Sequence, residues 1–343
     1  MSRAATVLAA LWLAIVPAAA HAAEHVLQIS VDGLSGILLQ GLLQADTTGD
    51  LAGFRRFLDE GASTFNARAD YDYTITLPNH TSMLTGRPVL GPGGHGWTSN
   101  DEPPPGVTLH GAGYIASTFD VAHDRGRTTA LYASKSKFVL FEQSYPTSID
   151  RYVNASAAAM HQTLLADLAA SHWGYAFVHY SSPDDAGHAS GWGSAQWNSA
   201  VRAVDDMLEG LFAAIAADPE LRDRTLVILT ADHGGTGTGH SDPSKPANYA
   251  VPFFAWGDGV QAGADLYALN AATRADPGTS RPSYTTAVQP IRNGDGANLA
   301  LAAFGLPAVP GSSIDAAQDL RLGPVPRIPI FPPLDGRAVS ASP

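Results

Sequence analysis

Of 343 residues, 45% are hydrophobic and 15% charged, and 32 acidic side chains against 20 basic ones leave a net charge of -12. That apolar content excludes extended disorder, and an acidic chain without a basic stretch is not a general nucleic-acid binder. With no cysteine, disulfide scaffolds, thiolate metal sites and a cysteine nucleophile are excluded together.

The chain begins with Arg3, an apolar run over residues 4–16, a break at Pro17 and the small residues Ala20 and Ala22. This pattern predicts a secretory signal peptide over residues 1–22, with the protein exported to the periplasm or the external medium. The run is too short for a membrane span, although a retained N-terminal anchor would share its composition. No membrane span is expected in the mature chain.

Short runs rich in Val, Ile and Leu predict strands over 26–31, 128–132, 175–180, 225–230 and 251–256. Amphipathic stretches lie between them, which is the α/β pattern. Met160, Leu164 and Leu168 repeat at helical spacing. So do Trp197, Val201, Val204, Leu208, Leu211 and Ile215, with Arg202, Asp205, Asp206 and Glu209 expected on the opposite, polar face. Residues 91–106 and 261–293 read as irregular and turn-rich. A single domain is expected over 23–322, followed by a proline-rich tail over 323–343.

Ligands in open α/β sheets bind beyond the carboxyl ends of the strands, and acidic and histidine residues fall at three such ends. The first strand runs into Asp32-Gly33, the third into Pro183-Asp184 and His188, and the fourth into Asp232-His233-Gly234-Gly235 with His240 close behind. Asp oxygens and His nitrogens suit zinc, and glycine lets backbone and ion approach closely. Read singly, an aspartate after a strand is as well explained as a helix cap. Three such ends in one chain point to a metal site.

Pro78 suits the first turn of a helix and Gly86 its end. Thr76 then sits at a helix N-terminus, where free N–H groups favour a phosphate. Locally it reads as a cap. With a metal beside it, its hydroxyl becomes a usable nucleophile.

These residues resemble the alkaline phosphatase superfamily, specifically its nucleotide pyrophosphatase/phosphodiesterase branch. The resemblance rests on Val31-Asp32-Gly33, Thr76-Leu77-Pro78-Asn79-His80 with Thr85-Gly86, Pro183-Asp184 to Gly187-His188, and Asp232-His233-Gly234. It implies an alkaline-phosphatase-like central sheet with helices on both faces, and two zinc ions, other divalent metals being alternatives. One ion would be held by Asp32, Asp232, His233 and the Thr76 oxygen, the other by Asp184, His188 and His240. Asn100 would contact a phosphoryl oxygen, and Asn79 would be structural. Thr76 would attack phosphorus in line, and water would later free it. His80, His95, His110, His123, His161, His172 and His179 lack the strand-end setting and are expected to bond locally.

The implied activity is a phosphodiesterase or nucleotide pyrophosphatase-like hydrolase acting on a small phosphate or phosphonate ester. Sulfatases carry a modified cysteine or serine, which Thr76-x-Pro78-x-His80 does not match. Monoester phosphatases of the alkaline type usually add a phosphate-clamping arginine, and no arginine occupies a matching place. Phosphomonoesterase and phosphonoacetate-hydrolase-like activities are the alternatives. Lys135 and Lys137 would serve the latter, against their reading as solvated surface lysines. Leu77 stands where nucleotide-preferring members often carry an aromatic residue. A non-catalytic metal-binding protein is the alternative of another class.

Overall fold

The computed structural model describes residues 23–111 and 113–323. The expected signal peptide and the proline-rich tail from residue 324 lie outside them. The strands are β1 (His25–Val31), β2 (Ala62–Arg68), β3 (Thr129–Ala133), β4 (Arg151–Asn154), β5 (Tyr175–Tyr180), β6 (Thr225–Thr230), β7 (Ala250–Gly257) and β8 (Ala264–Asp265). The helices through the middle of the chain are α1 (Gly36–Ala45), α2 (Ala52–Asp59), α3 (Thr76–Thr85), α4 (Thr118–Asp124), α5 (Val139–Ser144) and α6 (Ala157–Ser171). They are followed by α7 (Ser182–Ser190), α8 (Ala195–Ala217), α9 (Pro246–Tyr249), α10 (Leu266–Leu269) and α11 (Asp295–Ala303).

All five expected strands form, within one or two residues of their expected ends. Together with β2, β4 and β8 they make one eight-stranded sheet of order β4-β3-β5-β1-β6-β7-β2-β8. From β4 to β6 the strands are parallel, and β7 pairs antiparallel with both β6 and β2. The central strands are buried along their length, as a parallel sheet covered on both faces requires. Helices α2, α6, α7 and α8 form one connected group, α1 packs on β2 and β7, and α3, α4 and α11 form another group. Among the described residues no helix is long and apolar enough to cross a membrane.

Register aligns the site. Ser30 of β1 pairs with Thr230 of β6, and Val31 with Tyr180 of β5. Asp32, Asp232 and the start of α7 therefore leave the sheet side by side at its carboxyl edge.

One expectation about the second amphipathic helix fails. Trp197, Val201, Val204, Leu208, Leu211 and Ile215 are buried along α8 as expected, but so is Asp205. Its carboxylate accepts the Gly53 N–H at 2.9 Å and the Phe54 N–H at 2.6 Å, at the start of α2. It thus fills donors that a helix N-terminus leaves open.

Burial pushes the Asp205 carboxyl up from its ordinary 3.8 to about 6, against those two hydrogen bonds. The folded state therefore holds this proton more tightly than the unfolded chain. The associated stability is present below about pH 4 and is lost as pH rises towards 6. Asp205→Asn does not titrate. Thermal melts from pH 4 to 8 are expected to show the wild-type Tm moving down relative to the variant between pH 4 and 6, then running parallel. A constant Tm difference across that window would refute the assignment.

Candidate metal centre and phosphoryl site

Two ligand sets form at the carboxyl edge of the sheet. In the first, His233 Nε2 lies 3.1 Å from Asp232 Oδ2 and 3.6 Å from Asp32 Oδ1. In the second, Asp184 Oδ1 lies 3.6 Å from His188 Nε2 and 3.7 Å from His240 Nε2, and those two nitrogens are 3.1 Å apart. Ligands about 2.1 Å from a tetrahedral zinc stand roughly 3.4 Å from one another. Both sets have that spacing.

The chain's own hydrogen bonds also favour a cation. Asp32 Oδ1, Asp232 Oδ2, His233 Nε2 and Asp184 Oδ1 are all buried without a hydrogen-bond partner. Buried polar atoms are otherwise nearly always paired, and these four face inward within the two sets. Each ligand histidine has its Nδ1 against a backbone carbonyl. His233 uses Gly234 O at 2.8 Å, His240 Thr74 O at 2.6 Å and His188 Thr238 O at 3.0 Å. Those bonds fix the tautomer that turns the Nε2 lone pair towards a metal.

Local sequence explains the placement. Asp184 and His188 lie four apart on α7, which begins at Ser182 with Pro183 in its first turn. One helix face therefore presents both side chains. The indole of Trp192 flanks His188 and His240, with ring centroids 5.3 and 5.8 Å away, and its N–H donates to Gly33 O at 2.7 Å. Gly187 and Gly235 make room for that ring: a Cβ on Gly235 would lie 2.1 Å from it. The His233 and His240 rings stack at 3.7 Å.

Thr76 is the first residue of α3 and is buried, with Ile75 in the capping position. The cap reading of Thr76 is therefore corrected. Helix α3 is tied to the ligands from both sides. Thr74, two residues earlier, bonds His240 through its carbonyl and through its hydroxyl, which donates to His240 O. His80, one turn later, donates from Nδ1 to Thr76 O at 2.8 Å, and the same nitrogen lies 3.6 Å from Asp232 Oδ2. Asn100 arrives from the long loop after α3. Its Oδ1 accepts the Leu77 N–H at 2.9 Å, and Lys137 Nζ donates to its carbonyl at 2.7 Å. Asn79 is structural, bonding Asp70, Tyr73, Ile75 and Asn293.

The structure gathers the six named Asp and His side chains into two sets, has Thr76 and Asn100 at the first turn of α3, and sets three further side chains against those carboxylates. Lys135 is not a solvated surface lysine: its ammonium lies 2.7 Å from Asp32 Oδ2 and 2.6 Å from Asp184 Oδ2, with the side chain 16% exposed. His179 does not bond only locally, since its Nε2 meets Asp32 Oδ2 at 3.0 Å across 147 positions of sequence. Its Nδ1 accepts the Ser134 N–H, which leaves the proton on Nε2. His80 likewise reaches β1, where its Nε2 meets Ser30 Oγ at 2.8 Å.

Electrostatics follow from this crowding. Burial raises the Asp32 carboxyl, but Lys135 and then His179 outweigh it and hold the group well below the usual range. Asp232 is pushed up to about 6 by burial and then by the neighbouring Asp32 charge. Burial lowers His233, yet the Asp232 carboxylate prevails and raises it to about 9. His240 falls to about 3 through burial and the nearby His233. Without a metal, the site thus divides protons and charge among groups that a cation would otherwise satisfy.

Residues 105–250 match the family model for type I phosphodiesterase / nucleotide pyrophosphatase. That segment contains Asp184, His188, Asp232, His233 and His240; Asp32, Thr76 and Asn100 precede it. Among solved structures, the inactive threonine-to-alanine variant of murine ectonucleotide pyrophosphatase/phosphodiesterase 5 in complex with AMP superposes with a TM-score of 0.62 at 15% identity, covering 87% of this chain and 99% of that one. A protein of the alkaline phosphatase superfamily from Vibrio parahaemolyticus gives 0.57 at 14% identity, covering 84% and 68%. The fold is that of the alkaline phosphatase superfamily. Within that fold a 2-O GAG sulfatase is as close in TM-score, 0.62 at 12% identity over 87% and 74% of the two chains. The GPI ethanolamine phosphate transferase 1 of Saccharomyces cerevisiae is 34% identical over 87 residues, which is 24% of this chain. The chain covers only 9% of the length of the curated relatives it matches.

Proposed function

We propose that this protein is an exported, metal-dependent hydrolase of phosphoric esters, acting as a phosphodiesterase or nucleotide pyrophosphatase through Thr76. The observation that carries the reading is the set of four unpaired buried ligand atoms, Asp32 Oδ1, Asp184 Oδ1, Asp232 Oδ2 and His233 Nε2, beside the first turn of α3. Asp32, Asp232 and His233, joined by the Thr76 oxygen, would hold one zinc ion, and Asp184, His188 and His240 a second. When bound, two dications lower a hydroxyl pKa, draw charge from phosphoryl oxygens and favour departure of an alkoxide. Export is supported by the Arg3 start, apolar run and Ala20-His21-Ala22 of the sequence.

The chain's own part is positional. The Asn100 amide oxygen is engaged by the Leu77 N–H, so its NH2 group would be the one to donate to a phosphoryl oxygen. Lys137 anchors the loop that carries it. Attack by Thr76 Oγ1 on phosphorus, its proton passing to solvent, forms the threonine–phosphate ester as the bond to the leaving alkoxide, or to the leaving phosphate of a pyrophosphate substrate, breaks. Water then cleaves that ester, returning the hydroxyl and releasing phosphate or a phosphomonoester. An inactive threonine-to-alanine variant among the structural neighbours accords with a threonine in this role.

Lys135 favours a second reading. A fixed ammonium between the two ligand sets suits a dianionic substrate, a phosphomonoester or phosphonate, better than a monoanionic diester. Steady-state turnover of bis-p-nitrophenyl phosphate, p-nitrophenyl phosphate, p-nitrophenyl phenylphosphonate and p-nitrophenyl sulfate, with zinc and with chelator, separates the readings. Zinc-dependent turnover with the diester first is the expected result. A monoester preference moves the assignment to phosphatase, and sulfate ester turnover alone refutes both.

A further inference from the structure

Lys135 joins the two ligand sets. Its ammonium contacts one carboxylate from each, through Asp32 Oδ2 and Asp184 Oδ2. In both residues the other oxygen, Oδ1, faces the histidines of its own set: His233 for Asp32, His188 and His240 for Asp184. The lysine thus takes the outer oxygens and leaves the inner ones to a metal. It is carried there by the turn after β3, two residues beyond the strand. Ser134 accepts the Ser181 N–H at 2.8 Å and donates to His179 O at 3.0 Å, and Phe138, after the turn, is fully buried.

The charges around it are unbalanced. Asp32, Asp184 and Asp232 are all nearly or fully buried. The other lysine nearby, Lys137, is turned to the Asn100 carbonyl. Removing one partner of a buried ion pair leaves an uncompensated charge, and that is strongly destabilising. Such a charge pattern also sets the local potential that an arriving dication meets, since like charges repel at this range.

We propose that Lys135 is a built-in counter-ion that keeps the metal-free site folded and, in doing so, weakens divalent-cation binding to both ligand sets. The second half follows from the first by linkage. A group that stabilises the empty protein more than the loaded one must lower metal affinity, and its removal must raise it. The proposal rests on the two-cation reading given above.

The test compares full-length wild type, Lys135→Met and Lys135→Arg, each stripped with chelator and then titrated with zinc. Thermal melts of the stripped and loaded proteins and zinc affinity by competition with a chromophoric chelator are the readouts. Lys135→Met is expected to lower the metal-free Tm by about 5 °C or more and to tighten zinc binding about tenfold. The loaded Tm should move by less than half as much, and Lys135→Arg should stay near wild type. A Lys135→Met protein that folds only when zinc is supplied supports the proposal; one that folds in neither condition overturns it. Weaker zinc binding with an unchanged metal-free Tm would make Lys135 a residue that positions the ligands, and overturns the proposal. So does a Lys135→Arg protein as unstable as Lys135→Met, because shape would then matter and charge would not. If wild type binds no zinc, the two-cation reading fails, while the metal-free melts still judge the counter-ion.

Discussion

Thr76→Ala is expected to reduce phosphoester turnover by at least about 10³-fold, the scale of losing a covalent nucleophile, while zinc content and Tm stay close to wild type. The separation follows from where the threonine sits. It is the first residue of α3, and Ile75 holds the capping position. The bonds that tie the helix to the site use the Thr74 carbonyl and hydroxyl and the Thr76 carbonyl, all of which the substitution leaves in place. Each ligand set keeps its three side chains. Serine at this position should restore part of the activity, because it replaces the hydroxyl and omits only a methyl group. Turnover by Thr76→Ala within tenfold of wild type, at equal zinc content, would remove Thr76 from the mechanism.

Much of this site could be read from sequence because its parts are local. Asp32 ends β1, Asp232-His233 ends β6, and the Asp184–His188 pair sits at helical spacing behind β5, so strand ends and short motifs were sufficient. Lys135 was not legible in the same way. Two lysines in Ser134-Lys135-Ser136-Lys137 have the composition of a surface turn. The burial of Lys135 comes from carboxylates 103 and 49 positions away. His179 was hidden by its strand. In a parallel strand buried on both faces no alternation marks the side chain that points to a ligand. Asp205 failed for a related reason: helical periodicity put it on the polar face, but the start of α2 covers that part of α8. Strand β4 escaped because it is an exposed edge without an apolar run, and β2 because its register shifts between Thr64 and Ala67 and breaks the period.

Asp32→Asn is expected to fail in a different way from Thr76→Ala. Turnover should again fall by about 10³-fold, the order seen when a preorganised charge is lost from a reacting site, but zinc content should drop from two ions to one. Asp32 ties the first ligand set to two further groups: Lys135 and His179 share its Oδ2, and its unpaired Oδ1 faces His233. An amide of the same shape keeps the volume and loses the charge. Lys135 is then left with Asp184 alone, and the His179 proton loses its carboxylate acceptor. The second set, Asp184, His188 and His240, shares no ligand atom with Asp32 and should still bind one ion. His188→Ala offers the contrast. Its side chain is 48% exposed, so water can take its place as a ligand, and a milder loss is expected. Zinc per chain measured by elemental analysis after gel filtration decides the matter. An Asp32→Asn protein that retains two ions with normal turnover would place the first metal elsewhere, and one that retains none would mean that the two ligand sets fill together.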